Sequence, residues 1–113
     1  MISGKVKKSM KFQLVIQFAA SGQKDFSDLL EFAERISVAL SDEAETVVDG
    51  YDFGSGEFNI FIHTNQPRAI LEKARKAIDT QLPGLPFSSG YRDFHAGKYI
   101  PLWPPDLQIF CVA

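Results

Sequence analysis

Side chains able to do chemistry cluster in the stretch DGYDFGSGEFNIFIHTNQP, residues 49–67. Asp49, Asp52 and Glu57 carry carboxylates, the oxygen ligands that Ca²⁺ prefers. Their spacing does not follow the calcium-loop pattern, and the glycines lack the GK[ST] ending of a phosphate loop. Strand alternation also predicts that Asp49 and Asp52 face opposite sides of a strand. We therefore expect no metal and no cofactor here, and we interpret the glycines as turn residues of a β-hairpin.

The histidines His63 and His95 are the main candidates for acid–base catalysis, and an enzyme would use them with Arg92. Cys111, the single cysteine, falls on the expected inward face of the last predicted strand and is a poor nucleophile candidate. Neither GxSxG nor HExxH occurs in the sequence. We predict no catalytic residue, and a small enzyme stays an alternative.

Hydrophobic periodicity predicts the elements that would position these residues. Apolar residues alternate in KFQLVIQF, ETVVDGYDF, EFNIFIHT and the closing LQIFCVA, which is the pattern of strands. Helical stripes follow Asp25 and Pro67. The order strand–helix–strand–strand–helix–strand predicts a single α+β domain over residues 1–113, with 1–10 as a flexible N-terminal segment. Its expected fold is the ferredoxin-like split βαβ sandwich, an antiparallel sheet with two helices on one face. An extra proline-rich hairpin, within 83–106, would precede the last strand.

The outward face of the predicted sheet is the most informative surface. It would carry Phe61 and His63 among glutamines and an asparagine, and outward aromatic residues on such a sheet can stack RNA bases. The basic-aromatic octapeptide of RNA-recognition domains is absent, so we predict no nucleic-acid partner. We expect a second subunit to cover this face, or the proline-rich segment with Tyr91, Tyr99 and Trp103.

Charge is unevenly distributed along the chain. Residues 25–57 contain ten acidic residues and a single basic residue, Arg35, although the whole chain has a net charge of only −2. Asp28, Glu31 and Glu34 recur at three-residue spacing and should form one outward strip of the first helix. An acidic surface of this kind attracts basic proteins and repels phosphate backbones. Solvation alone is the alternative explanation of these acids.

The stretch GSGEFNIFIHTNQP, together with LWPPD and the short C-terminal strand, resembles a family of small uncharacterised bacterial proteins, of the kind similar to immunity partners of toxins. The resemblance implies protein binding and assigns no catalytic residue. Together with the acidic region it predicts a non-enzymatic domain that binds a basic protein or a second copy of itself. A small-ligand-binding regulatory domain, with its site under the proline-rich segment, is the alternative. The candidate binding residues are Asp28, Glu31, Glu34, Phe61, His63, Tyr91, Arg92 and Trp103.

The sequence also indicates where the protein works. No apolar stretch approaches the roughly 20 residues of a membrane span. The N-terminal lysines and the apolar run superficially follow the order of a signal peptide, but Gln13 and Gln17 interrupt that run. A lone cysteine suits a reducing compartment. We therefore predict a cytoplasmic protein with no membrane partner.

Overall fold

The computed structural model describes residues 10–19, 26–54 and 56–112. The described residues form five strands and two helices. Nearly all of the predicted N-terminal segment 1–10 lies outside the described residues. The elements are β1 (Phe12–Ala19), α1 (Phe26–Ala39), β2 (Thr46–Gly54), β3 (Glu57–Thr64), α2 (Pro67–Gln81), β4 (Ser88–Asp93) and β5 (Ile100–Trp103).

The strands form one antiparallel sheet in the order β2-β3-β1-β4-β5. β1 occupies the centre, between β3 and β4, and its Leu14 lies opposite Ile62 on one side and Tyr91 on the other. β2 and β3 form the predicted hairpin, whose turn includes Gly56 with a φ of 76°. That positive φ is readily available to glycine and strained for other residues. The sheet therefore has two edges, β2 and β5.

The hydrophobic core lies between one face of the sheet and both helices. Phe58, Ile60 and Ile62 of β3 are fully buried, which confirms the predicted strand and its register. Helix α2 begins at Pro67, where the missing N–H costs no hydrogen bond. The helices contribute these core side chains: Leu29, Phe32, Ala33, Ile36 and Leu40 from α1, and Ile70, Leu71, Ala74 and Ile78 from α2. The predicted α+β class, with an antiparallel sheet and two helices on one face, is confirmed.

The prediction of LQIFCVA as the last strand is wrong. Residues 107–112 form no strand, and β4 occupies the place beside β1. The expected inward residues are also reversed, because Ile109 is 73% exposed whereas Phe110 is buried. The segment crosses the outer face of the sheet, where Gln17 donates a hydrogen bond to the carbonyl of Cys111. The predicted arms of a separate proline-rich hairpin are thus β4 and β5, two strands of the main sheet.

No helix among the described residues is long and apolar enough to cross a membrane.

Candidate protein-binding surface

The outer face of the sheet, opposite the helices, is partly covered by the chain itself. Val15 of β1 is fully buried, and Phe110 lies over Gly90 of β4 so closely that a Cβ atom there would be 2.7 Å from the ring. The ring of Tyr99 meets Phe110 edge-on at 5.4 Å. The cover is therefore the C-terminal segment with Tyr99, and it lies over β1 and β4.

A row of polar side chains crosses four strands beside this cover. Asn59 of β3 donates to Asp52 of β2 at 3.1 Å and accepts from Gln17 of β1 at 3.0 Å. Ser88 of β4 donates to the Gln17 side-chain oxygen at 3.4 Å. Asn59 is only 2% exposed, so these bonds satisfy a buried amide. The row fixes the Asp52 carboxylate at the edge strand.

His63 and Arg92 both lie near the ring of Phe94. The Phe94 ring is 4.8 Å from the His63 imidazole and 5.9 Å from the Arg92 guanidinium carbon. His63 Nε2 also lies 3.6 Å from an Asp49 carboxylate oxygen. The Arg92 side chain donates to Gln13 Oε1 and to the Ala96 carbonyl, so structural contacts engage it.

His95 lies in the exposed turn after β4, where its backbone N–H donates to the Asp93 carboxylate. The alternative of a small enzyme based on His63, His95 and Arg92 stays a prediction. Cys111 is exposed, so the prediction that it lies in the core is wrong.

A β-bulge in β2 changes the direction of its acidic side chains. The pairing with β3 shifts by one residue between Val48 and Gly50, which leaves Asp49 as the extra residue. Asp49 and Asp52 consequently both contact residues of the outer face. The prediction that they face opposite sides is wrong, because alternation assumes an uninterrupted ladder. Among the described residues, no group of three or more His, Cys, Asp or Glu side chains is placed to hold a metal.

The predicted acidic strip lies on the helix beside this edge. Asp28, Glu31 and Glu34 of α1 are all exposed. Glu31 accepts a hydrogen bond from Arg35 at 2.9 Å, a pair whose members are both more than half exposed. Helix α1 contacts β2, but the strip borders the end of α2, because Arg35, the partner of Glu31, also donates to Gln81 at 3.2 Å. Asp49 and Asp52 lie on the opposite, outer face of the sheet. We name the set Asp28, Glu31, Glu34, Asp49 and Asp52 the acidic flank.

A lysine from α2 neutralises part of the acidic region between these elements. Lys73 donates to the Glu43 carboxylate and lies 3.7 Å from Asp42. The hydrogen bond to Glu43 is the main cause that raises the pKa of Lys73 above its ordinary value of 10.5, with Asp42 adding to it. Lys73 therefore offsets part of the negative charge of residues 25–57. In the sequence, the α1 residues of the acidic flank precede Asp42 and Glu43, and its β2 residues follow them.

Tyr91 and Trp103 lie on the helix side of the sheet rather than on its outer face. The Arg68 guanidinium carbon is 5.7 Å from the Tyr91 ring centre, and that of Arg75 is 3.9 Å from the Trp103 ring centre. Both arginines belong to α2, so these cation–π contacts fasten β4 and β5 to the helix. The eight predicted binding residues thus occupy three places: the α1 strip, the outer face and the helix side.

A cavity of about 550 Å³ opens between the β4–β5 connection and the C-terminal segment. Its walls are mainly Tyr99, Ile109, Phe110 and Val112, with Lys98 at the same site. The cavity lies at the end of the sheet away from β2, so it is separate from the acidic flank.

Comparisons with protein families, curated proteins and solved structures find no match for this chain. The resemblance to immunity-type proteins therefore stays a prediction, and the function has to be inferred from the surface itself.

Proposed function

We propose that this protein is a non-enzymatic binding domain for a basic protein partner, and that the acidic flank is its binding surface. The observation that carries the proposal is the exposure of five carboxylates, three on α1 and two on the edge strand β2. The resemblance to immunity-type proteins favours a basic toxin as the partner. The lone cysteine supports a cytoplasmic place of action.

Electrostatic attraction would give these carboxylates a role in partner binding, beyond keeping the domain in solution. Exposed charges of one sign on a small domain attract a partner of opposite charge and accelerate its encounter by about 10–10³. Counterions screen that attraction, so the association should weaken at high salt. Val38 adds an apolar contact on the same helix, because its side chain is 74% exposed.

The test is capture of partners from the native organism at low and at high salt. A variant with Asp28, Glu31 and Glu34 all replaced by lysine should lose the salt-sensitive partners. The matched control carries the same charge change elsewhere, as a triple lysine replacement of three exposed acids outside the flank, Glu72, Asp79 and Asp106. If both variants retain every wild-type partner, the acids only solvate the domain and the proposal fails.

The cavity supports a second candidate, the small-ligand-binding regulatory domain. Its volume and its mostly apolar lining suit a small apolar molecule with one anionic group near Lys98. Screening medium-chain carboxylic acids by heteronuclear NMR tests this candidate. Shifts at Tyr99 and Phe110 that are lost in Ile109→Asp would support it, and unchanged spectra at millimolar concentrations would reject it.

We also propose that the fold is an elaborated form of the ferredoxin-like arrangement. The support is the chain order strand–helix–strand–strand–helix–strand, together with antiparallel pairing throughout. The fifth strand, beyond β4, is where the sheet departs from the four-stranded form.

A further inference from the structure

We propose that the outer edge of β2 accepts an extended segment of the partner as a sixth strand, and that this segment alternates apolar and basic side chains. The inference rests on the proposed function, because it states how a basic partner would bind to the acidic flank. It adds a binding mode, a place on the chain and a residue pattern for the partner.

The two edges of the sheet differ in how well they resist strand addition. β5 has four residues, includes Pro101 and is followed by Pro104. β2 has nine residues and contains neither proline nor lysine, the residues that commonly protect an edge. Its side chains Val47, Tyr51 and Phe53 are 47%, 43% and 48% exposed. An edge strand carries backbone N–H and C=O groups that the sheet does not pair, and pairing with a partner strand is a common use of them.

The two faces of β2 would select different side chains in an added strand. Asp49 and Asp52 contact His63 and Asn59 on the outer face. The Tyr51 ring lies 5.8 Å from Phe58, a core residue, and is therefore on the helix side. Directly opposed side chains in neighbouring strands interact, so an added strand should place basic residues outward and apolar residues towards the helices. That is a period-two pattern of basic and apolar residues.

A second copy of the chain fits this edge poorly. A copy paired antiparallel about the middle of β2 would bring its own Asp49 and Asp52 against the same two carboxylates, and like charges facing each other destabilise strand pairs. This repulsion disfavours a copy of the chain and leaves the edge open to a cationic segment.

The first test uses a short fluorescent peptide in which lysine and valine alternate. Binding to the wild-type protein should appear as a rise in anisotropy that weakens with salt. A peptide of the same composition with its lysines and valines in two blocks is the control for charge alone. Alternate residues of a strand direct their N–H groups to the same edge. N-methylation of all the lysines or of all the valines therefore blocks one edge each, and only one of the two methylated peptides should lose affinity, by about tenfold or more.

Three results would overturn the inference. One is equal binding of the alternating and block peptides, and another is equal binding of the two methylated peptides. The third is a wild-type dimer in sedimentation experiments that the alternating peptide dissociates, because a copy would then occupy the edge in spite of those charges. Asp49→Asn/Asp52→Asn should weaken binding of the alternating peptide several-fold, whereas Asp79→Asn/Asp106→Asn should not.

If the peptide does not bind as expected but the Asp28/Glu31/Glu34 variant still loses native partners, only the strand-addition inference falls. If the peptide behaves as expected and that variant keeps its partners, the α1 strip falls instead.

Discussion

Replacing Gly90 by alanine should release the C-terminal cover from the outer face. A Cβ atom at this position would be 2.7 and 2.8 Å from two atoms of the Phe110 ring and 3.0 Å from the Ile100 carbonyl oxygen. Because Phe110 is only 6% exposed, its ring can move away only by giving up buried contacts. Overpacking of this kind costs about 1–3 kcal/mol. The loss has an upper limit, since detaching one Phe side chain forfeits about 1.5–3 kcal/mol of burial.

Urea denaturation of four proteins measures this effect: wild type, Gly90→Ala, Phe110→Ala and the double variant. We expect Gly90→Ala to lower the free energy of unfolding by about 1–3 kcal/mol in the wild-type background and by much less once Phe110 is absent. Gly50→Ala is the matched control, because a Cβ atom there meets nothing within 4 Å. An equal cost in both backgrounds would refute the reasoning and would assign the strain to the Ile100 carbonyl instead.

Two further predictions test the core and a surface ion pair. Ile60→Ala should lower the free energy of unfolding by about 2–5 kcal/mol, since the side chain is fully buried. Val38→Ala, at an exposed site, should change it by no more than about 0.5 kcal/mol. Similar values for the two variants would contradict the β3 register. Because the folded-state pKa of Lys73 is raised, its stabilising contribution is complete below pH 10.5 and is lost as the pH rises through the raised value. The melting temperature of the wild type should therefore fall over that alkaline range more than that of Lys73→Met, and parallel alkaline profiles would exclude this linkage.

The parts of the fold that the sequence predicts best are those in which one local pattern decides the outcome. EFNIFIHT alternates without interruption, and β3 runs from Glu57 to Thr64 with every predicted inward residue buried. Pro67 can begin a helix but cannot continue one, and α2 begins at that residue. In both cases burial and backbone chemistry favour the same assignment, so tertiary contacts have little to override.

The C-terminal segment shows where local pattern fails. LQIFCVA alternates as well as β3 does, yet its Phe110 packs on Gly90, a residue twenty positions earlier. The place beside β1 goes to β4, whose small Ser89 and Gly90 are buried there. Competition between two segments for one sheet position depends on contacts that are distant in sequence, and periodicity does not report them. For the same reason, the sequence does not reveal that Tyr91 and Trp103 pack against α2 instead of belonging to a segment that covers the outer face.

The bulge links the fold to the proposed binding mode, and the sequence does not reveal it. Val47, Tyr51 and Phe53 keep one odd-numbered apolar phase in TVVDGYDF, whereas in the structure Val48 and Tyr51 are the inward residues on either side of the Asp-Gly pair. Without the extra residue, Asp49 and Asp52 would lie on opposite faces, and neither face of the edge would be uniformly acidic or apolar. With it, both carboxylates share the outer face while Tyr51 stays on the helix side. One residue of register thus gathers both carboxylates on the outer face, together with Val47, and leaves Tyr51 on the helix side, an arrangement that an alternating basic strand would recognise.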